Sequence, residues 1–334
     1  MTASAGEGAS DLLIRPAVAA DRDAIVALLA VSLGREADDP RFERLFAWKH
    51  EDNAFGPSPM WVAVDGERLA GFRVLMRWRF ERDGAPVSAV RAVDTATHPD
   101  YQGRGIFTKL TMHALDALRA EGVGFVFNTP NDKSRPGYLK MGWQVVGRIP
   151  VTVRPRSPAG LVRIVRSRVA ASRWSEPTTV GEPAAEVLAH HDEVRGLLAS
   201  QPPASDLRTA RTPEFLAWRY GTDLVAYRAL VAPGGPEHGL ILFRVRRRGA
   251  AREAVLADVL APGGDARAEH ALVRRLLHAV DADYVIRVGR DAVSKGGFVR
   301  LPGQGPIFTW RDVCETTMPP LARWDVSLGD IELF

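Results

Sequence analysis

Apolar residues alternate with polar ones along short runs, then recur at intervals of three or four, and these two rhythms take turns down the chain. Leu12 to Pro16 alternates as a strand, and Ala20 to Leu33 sets Ile25, Leu28, Leu29 and Val31 at helical spacing behind Asp21. "FERLFAWKH" is a second helix. "WVAVDGERLAGFRVLMRWRF" predicts two strands joined by a turn at Asp65 and Gly66, since Asp-Gly between alternating runs is the strongest short hairpin signal. Val87 to Thr95 is the next strand. Thr108 to Glu121 is a helix with Leu110, Leu115 and Leu118 on one face, stopped at Gly122. "VGFVFNTP" predicts a strand, Ser134 to Met141 a short helix, and "WQVVGRIPVTV" the closing strand of this half.

Between about Pro155 and Gln201 the rhythm breaks into prolines, arginines and the basic stretch "LVRIVRSRVAASRW". That stretch reads as a solvated connecting helix, with a surface for anionic partners or membrane as the alternative. Beyond it the order of elements returns. "EFLAWRYG" echoes "ERLFAWKH"; "YRALVAP", "GLILFRVRRRG" and "EAVLADVLAP" are strands; "ARAEHALVRRLLHAV" is a helix; "DYVIRVG" and "GGFVRLPGQGPIFTW" complete the set. The expected organisation is a disordered tail over residues 1–11, a first unit over 12–155, a connector over 156–201 and a second unit over 202–334. Each unit is α/β, a mixed central sheet flanked by helices, and the fold is duplicated.

The length of 334 residues suits two domains, and 46% apolar with 25% charged residues is a globular composition. No apolar run reaches the roughly 20 residues that cross a bilayer, and "MTASAGEGASD" lacks the basic start and apolar block of a secretion signal. A cytoplasmic protein without a membrane span is the expectation. The one cysteine, Cys314, excludes an internal disulfide and a thiolate metal cluster, and reads as a small packed residue. His190 and His191 have no companions at metal-ligand spacing, so no metal is expected. Trp48, Trp61 and Trp78 read as core residues rather than a substrate cage. The net charge of +4 is spread along the chain. "RVRRRGAAR", from Arg244 to Arg252, reads as a hairpin tip of solvated charge, and without interleaved aromatic residues nucleic-acid binding is not expected.

"QGRGIFTKL" steps from a strand into a helix. A dinucleotide fingerprint would need a sixth-position glycine where Thr108 stands, and a nucleoside triphosphate loop would need a Gly-Lys-Ser/Thr that is absent. Two readings remain. The loop is a cradle, in which the unpaired amides of a helix start meet phosphate oxygens while Gly103 and Gly105 allow close approach and Arg104 and Lys109 add charge; or it is a tight turn made for packing. A second stretch bears on the choice: "NDKSRPGYLKMGW" sets Asn131, Ser134, Tyr138, Lys140, Gly142 and Trp143 at offsets of zero, three, seven, nine, eleven and twelve.

Together the two stretches resemble the GNAT acyltransferase superfamily, with its signatures Gln/Arg-x-x-Gly-x-Gly/Ala and Asn-x-x-Ala-x-x-x-Tyr-x-Lys-x-Gly-Phe. Gln102 and Gly105 match the first, whose last position is Phe107 here. Asn131, Tyr138, Lys140 and Gly142 match the second, with Ser134 and Trp143 as near replacements. The resemblance spans Leu12 to Val153; the second half shares its outline without the signatures, and no cofactor is expected there. It implies an acyl-CoA N-acyltransferase fold, with acetyl-CoA or another acyl-CoA as co-substrate and a small-molecule or peptide amine as acceptor. A non-catalytic acyl-CoA sensor of the same fold is the alternative.

By the same resemblance, the amides of Gln102, Gly103, Arg104, Gly105, Ile106 and Phe107 hold the pyrophosphate. Those of Ala96 and Thr97 meet the pantetheine arm or the thioester oxygen, and Asn131 and Ser134 contact that arm. Tyr138 matches the family's general acid; its other reading is a tyrosine packed on the sheet. Asp94, on the strand feeding the loop, is either the general base or a structural carboxylate. Alternation would put Val93 and Thr95 on the opposite sheet face from Asp94. His98 reads as a turn residue beside Pro99.

Overall fold

In a computed structural model, which describes residues 12–32, 39–157, 160, 169–289 and 297–332, the two periodicities become two mixed sheets with helices between and around them. The strands are β1 (Leu13–Pro16), β2 (Met60–Asp65), β3 (Arg68–Arg82), β4 (Ala85–Thr97), β5 (Phe125–Asn128), β6 (Gln144–Arg148), β7 (Val151–Pro155) and β8 (Glu182–Pro183). They continue as β9 (Leu207–Thr209), β10 (Arg228–Val231), β11 (Leu240–Arg248), β12 (Ala251–Leu260), β13 (Tyr284–Val288), β14 (Val299–Arg300), β15 (Ile307–Asp312) and β16 (Trp324–Asp325). The helices are α1 (Arg22–Ser32), α2 (Pro40–His50), α3 (Ile106–Ala120), α4 (Arg135–Lys140), α5 (Ala184–Leu188), α6 (His191–Ala199), α7 (Pro213–Tyr220), α8 (Ala266–Ala279) and α9 (Leu328–Ile331).

The first sheet runs β1-β2-β3-β4-β5-β15-β6, with β9 beside β3 and β16 beside β9. β3 is buried on both faces. Leu75 joins the cluster under α3, with Val90, Leu110 and Leu118, while Phe72 and Val74 join Ile25, Leu29 and Phe46 from α1 and α2. Covered twice, the strand buries every residue from Ala70 to Met76, Arg73 included.

The second sheet runs β14-β7-β13-β12-β11-β10-β8. It departs from the expected division, because the two units exchange strands. "WQVVGRIPVTV" is two strands: β6 stays in the first sheet, while β7 pairs antiparallel with β13 of the second. In return β15 lies between β5 and β6. Each sheet is closed by a strand from the other half of the chain.

The tail over residues 1–11 and residues 161–168 of the basic stretch lie outside the described residues. Residues 169–174 of that stretch are irregular, not helical. Ser172 and Glu176 donate their backbone amides to the carbonyls of Arg247 and Val245, covering an edge of β11 that β10 is too short to pair. The β11–β12 hairpin forms as expected, but its arginines are not a solvated tip. At alternate positions Arg244, Arg246 and Arg248 meet Glu332 or Glu253, and Arg247 meets Glu176. Period-2 spacing puts three arginines on one face, where buried carboxylates await them.

The units meet across an approximate twofold relation between α2 and α7. Trp48 and Trp218 stack with ring centroids 5.0 Å apart, and each indole N–H donates to the other residue's backbone carbonyl at 2.7 Å. The echo of "ERLFAWKH" in "EFLAWRYG" is thus an interface as well as a repeat.

Candidate active site

β4 and β5 run parallel, but their pairing covers only Ala89–Arg91 against Phe125–Phe127. Past Arg91 the strands part, and β4 continues to Thr97 without β5. The gap opens a cleft of about 960 Å³ lined by Asp94, Ala96, Thr97, Gln102, Phe107, Asn131, Ser134 and Tyr138 among others, within the size range of small-molecule sites. Eight of the residues singled out in the sequence therefore share one cavity.

The glycine segment stands at one end. Gly103 and Gly105 have φ of +78° and +72°, and Gly105 is the N-cap of α3. A Cβ on either would meet nothing within 4 Å, so the left-handed backbone, not crowding, is what calls for glycine. The first intrahelical bond runs from Lys109 N to Gly105 O, and the earlier amides of α3 have no partner inside the helix. The Ile106 side chain packs in the core, so only its backbone can serve a ligand. The Arg104 side chain turns back over the loop, donating to Asp100 O and lying 4.9 Å from the Tyr101 ring. His98 is a turn residue whose Nδ1 accepts from Asp100 N.

On the far wall, Asn131 Oδ1 accepts from the amides of Lys133 and Ser134, building the turn into α4. α4 carries Tyr138, buried to 4% exposure, whose ring lies edge-on to Phe107 at 5.4 Å. The bulk of Phe107 is accommodated beside Gly137, where a Cβ would come within 3.2 Å of its ring.

Asp94 sits at a β-bulge. Arg73 pairs with Thr95 and Leu75 with Ala92, so Val93 and Asp94 together face Val74. The extra residue breaks strict alternation: Val93 packs with the α1–α2 cluster, on the side to which Asp94 also turns, not opposite it. Asp94 Oδ2 takes the Lys49 ammonium and, at 3.0 Å, His50 Nε2, while His50 Nδ1 lies 3.1 Å from Ser58 Oγ. Burial by itself would raise the Asp94 carboxyl, but Lys49 and His50 overcome it and hold the group well below the usual carboxylate range. Burial in turn pushes His50 down, toward the neutral imidazole.

Sequence reasoning missed Lys49, His50 and the C-terminal segment. Ile331 lines the cleft, and arginines from both units hold its neighbours. Arg91 donates to the carbonyls of Asp330 and Ile331, Arg219 to those of Gly329 and Glu332, and the Glu332 carboxylate receives Arg244 and Arg246. The corresponding place in the second unit is differently furnished. Asp258 is engaged by Tyr220 and Arg211, and Asp265 caps α8 by accepting from Arg267 N. A carboxylate thus occupies the helix start that in the first unit is left to backbone amides.

Residues 13–146 match a family described as an acetyltransferase (GNAT) domain. This stretch is a GNAT domain. The match takes in the glycine loop, the open edge of β4 and Tyr138, so the GNAT domain contains every residue of the cleft named so far except Ile331. No curated protein matches the sequence. Among solved structures, a protein of unknown function from Enterococcus faecalis V583 described as a probable N-acyltransferase is similar at 13% identity and a TM-score of 0.63, over 91% of this chain and 72% of its own. A GCN5-related N-acetyltransferase from Kribbella flavida shares 16% identity at a TM-score of 0.61, over 91% and 72% of the two chains. Eis1 from Mycobacterium abscessus shares 17% at 0.57, over 90% and 73%. At such identities the likeness is one of fold, and it extends beyond the GNAT domain into the second unit.

Proposed function

We propose that the protein transfers an acyl group, acetyl foremost, from acyl-CoA directly to the amine of a small-molecule or peptide acceptor. The observation that carries this reading is the convergence of three features on one cleft: the unpaired amides at the start of α3, the open edge of β4, and the hydroxyl of Tyr138. In this reading the amides of Gln102–Phe107 hold the pyrophosphate, the β4 edge at Ala96 and Thr97 receives the pantetheine arm, and Asn131 and Ser134 line its other side. The fit rests on a positive-φ loop that leaves its amides open, beside a cavity lined by Gln102 and Phe107 at the loop's two ends.

The acceptor enters from the α1–α2 side, toward Asp94. Lys49 and His50 both take Oδ2, and the deeply ionised carboxylate is a poor proton acceptor but a good anchor for an ammonium. Asp94 thus orients the amine more than it deprotonates it, and the proton leaves to water. Attack by the free amine creates an oxyanion that backbone amides stabilise, and Tyr138 protonates the departing sulfur. Lys133, exposed at the cleft mouth, adds positive charge for phosphate.

The test is calorimetry with CoA and acetyl-CoA, followed by thiol release across a panel of amines. Binding with turnover that falls by about a hundredfold in Tyr138→Phe supports the reading. Binding without turnover on any amine makes the protein a sensor, and no binding at all refutes the site.

A further inference from the structure

Arg73 lies in the middle of β3 with no exposed surface. Its Nη1 donates to Tyr138 Oη at 2.9 Å, while Nε and Nη2 meet no hydrogen-bond acceptor among the described residues. The guanidinium carbon lies 5.5 Å from the Tyr138 ring centroid and 5.6 Å from that of Phe107. Other buried arginines are compensated: Arg91 and Arg219 hold main-chain carbonyls, and Arg244 holds Glu332. A buried cation with one neutral acceptor costs stability that a methionine of similar length would restore. Such a group earns its place where negative charge appears transiently.

We propose that Arg73 is the positioning residue of Tyr138, orienting its proton and compensating the charge left when that proton is given up; the proposal rests on the acyltransferase reading. A guanidinium only donates hydrogen bonds, and a phenol carries one proton. With Arg73 occupying a lone pair of Oη, the phenol proton is directed away from Arg73, and the cleft that Tyr138 lines offers it a recipient. In the reaction the amine nitrogen bonds to the thioester carbon, the carbon–sulfur bond breaks with its electron pair on sulfur, and the Tyr138 proton passes to sulfur to give the thiol. The phenolate oxygen, held by Arg73, then takes up a proton equivalent to the one the amine nitrogen has shed. The books balance at amide, free thiol and restored phenol.

The experiment compares Arg73→Met, Arg73→Gln and Arg73→Lys with Tyr138→Phe and the double variant Arg73→Met/Tyr138→Phe. Expected are a fall in kcat of about 10- to 100-fold in Arg73→Met and Arg73→Gln, partial recovery in Arg73→Lys, and a calorimetric Kd for acetyl-CoA within about threefold of wild type. The double variant should be no slower than Tyr138→Phe alone, because Arg73 acts through that hydroxyl. The Tm of Arg73→Met should not fall; if that variant does not fold, Arg73→Gln serves for the same comparison. The idea is overturned if kcat stays within twofold of wild type, if the two losses multiply, or if acetyl-CoA affinity falls in step with kcat. A wild-type protein that binds acetyl-CoA but releases no thiol refutes the acyltransferase reading itself, whereas turnover that needs Tyr138 and ignores Arg73 refutes only this inference.

Discussion

Phe107 stands where the GNAT signature prefers a small residue, and Gly137 across the cleft supplies the room. The pair is testable as a pair. Gly137→Ala gains helix propensity of up to about 1 kcal/mol, yet presses a Cβ against the Phe107 ring at 3.2 Å, an overpacking that costs about 1–3 kcal/mol. We expect net destabilisation in the wild type and a gain in a Phe107→Ala background, measured by denaturant midpoints of the four proteins; equal effects in both backgrounds would refute the compensation. His50 makes a second prediction at this scale. Its folded-state pKa is depressed by burial, so below about pH 6.5 the unfolded chain takes up a proton that the folded one refuses. Stability should fall on acidification by up to about 1.4 kcal/mol per pH unit from this group, and His50→Gln should flatten the curve between pH 7 and 5. The spaced signature singled out Tyr138, which lines the cleft. Lys49 and His50 were not legible in the sequence, since their partner Asp94 lies on another element and no local rhythm records such a pairing.

Elements with long, clear periods were read correctly in kind. The Asp65–Gly66 turn separates β2 from β3, α3 follows the glycine segment, and α7 repeats α2. What the rhythm could not disclose was the bulge at Asp94, because one inserted residue changes which face a side chain takes without changing composition. Nor did it reveal that the arginines of β11 face inward, since their carboxylate partner Glu332 belongs to the last segment of the chain. That segment invites a prediction. Burial alone would raise the Glu332 carboxyl, but Arg244 and Arg246 keep it below the usual range, ionised between two cations. Glu332→Ala takes from the buried Arg244 the carboxylate that faces it, while Arg246 keeps Glu253, and should destabilise by about 3–5 kcal/mol. Because Ile331 lines the cleft next door, the same variant should raise the acceptor KM while the calorimetric affinity for acetyl-CoA holds; an unchanged KM in the folded variant would separate the segment from acceptor binding.

For the molecule as a whole, duplication was visible in the order of elements, but the exchange of β7 and β15 was not. Both are short strands rich in β-branched or aromatic residues that would suit either sheet, and only tertiary pairing decides between them. The consequence is mutual dependence. Trp218→Ala removes a stacked ring and the indole bond it donates to the Trp48 carbonyl across the two units, and should cost about 3–5 kcal/mol. Near-UV and far-UV melts should shift together as one transition, and two separated transitions would show the units to be independent. Truncation after Gln201 removes β15 from between β5 and β6, so the GNAT domain is not expected to fold alone.

The exchanged strand also sets an order of events during synthesis. β6 leaves the ribosome long before the strand that must lie between it and β5, for roughly 160 residues separate Arg148 from Ile307, a delay on the order of ten seconds at ordinary translation speed. Through that interval the nascent first sheet carries an open, apolar-flanked edge where Phe308 and Trp310 will later dock. Chaperone capacity, more than the intrinsic stability of the finished protein, should therefore govern how much of it a cell can make.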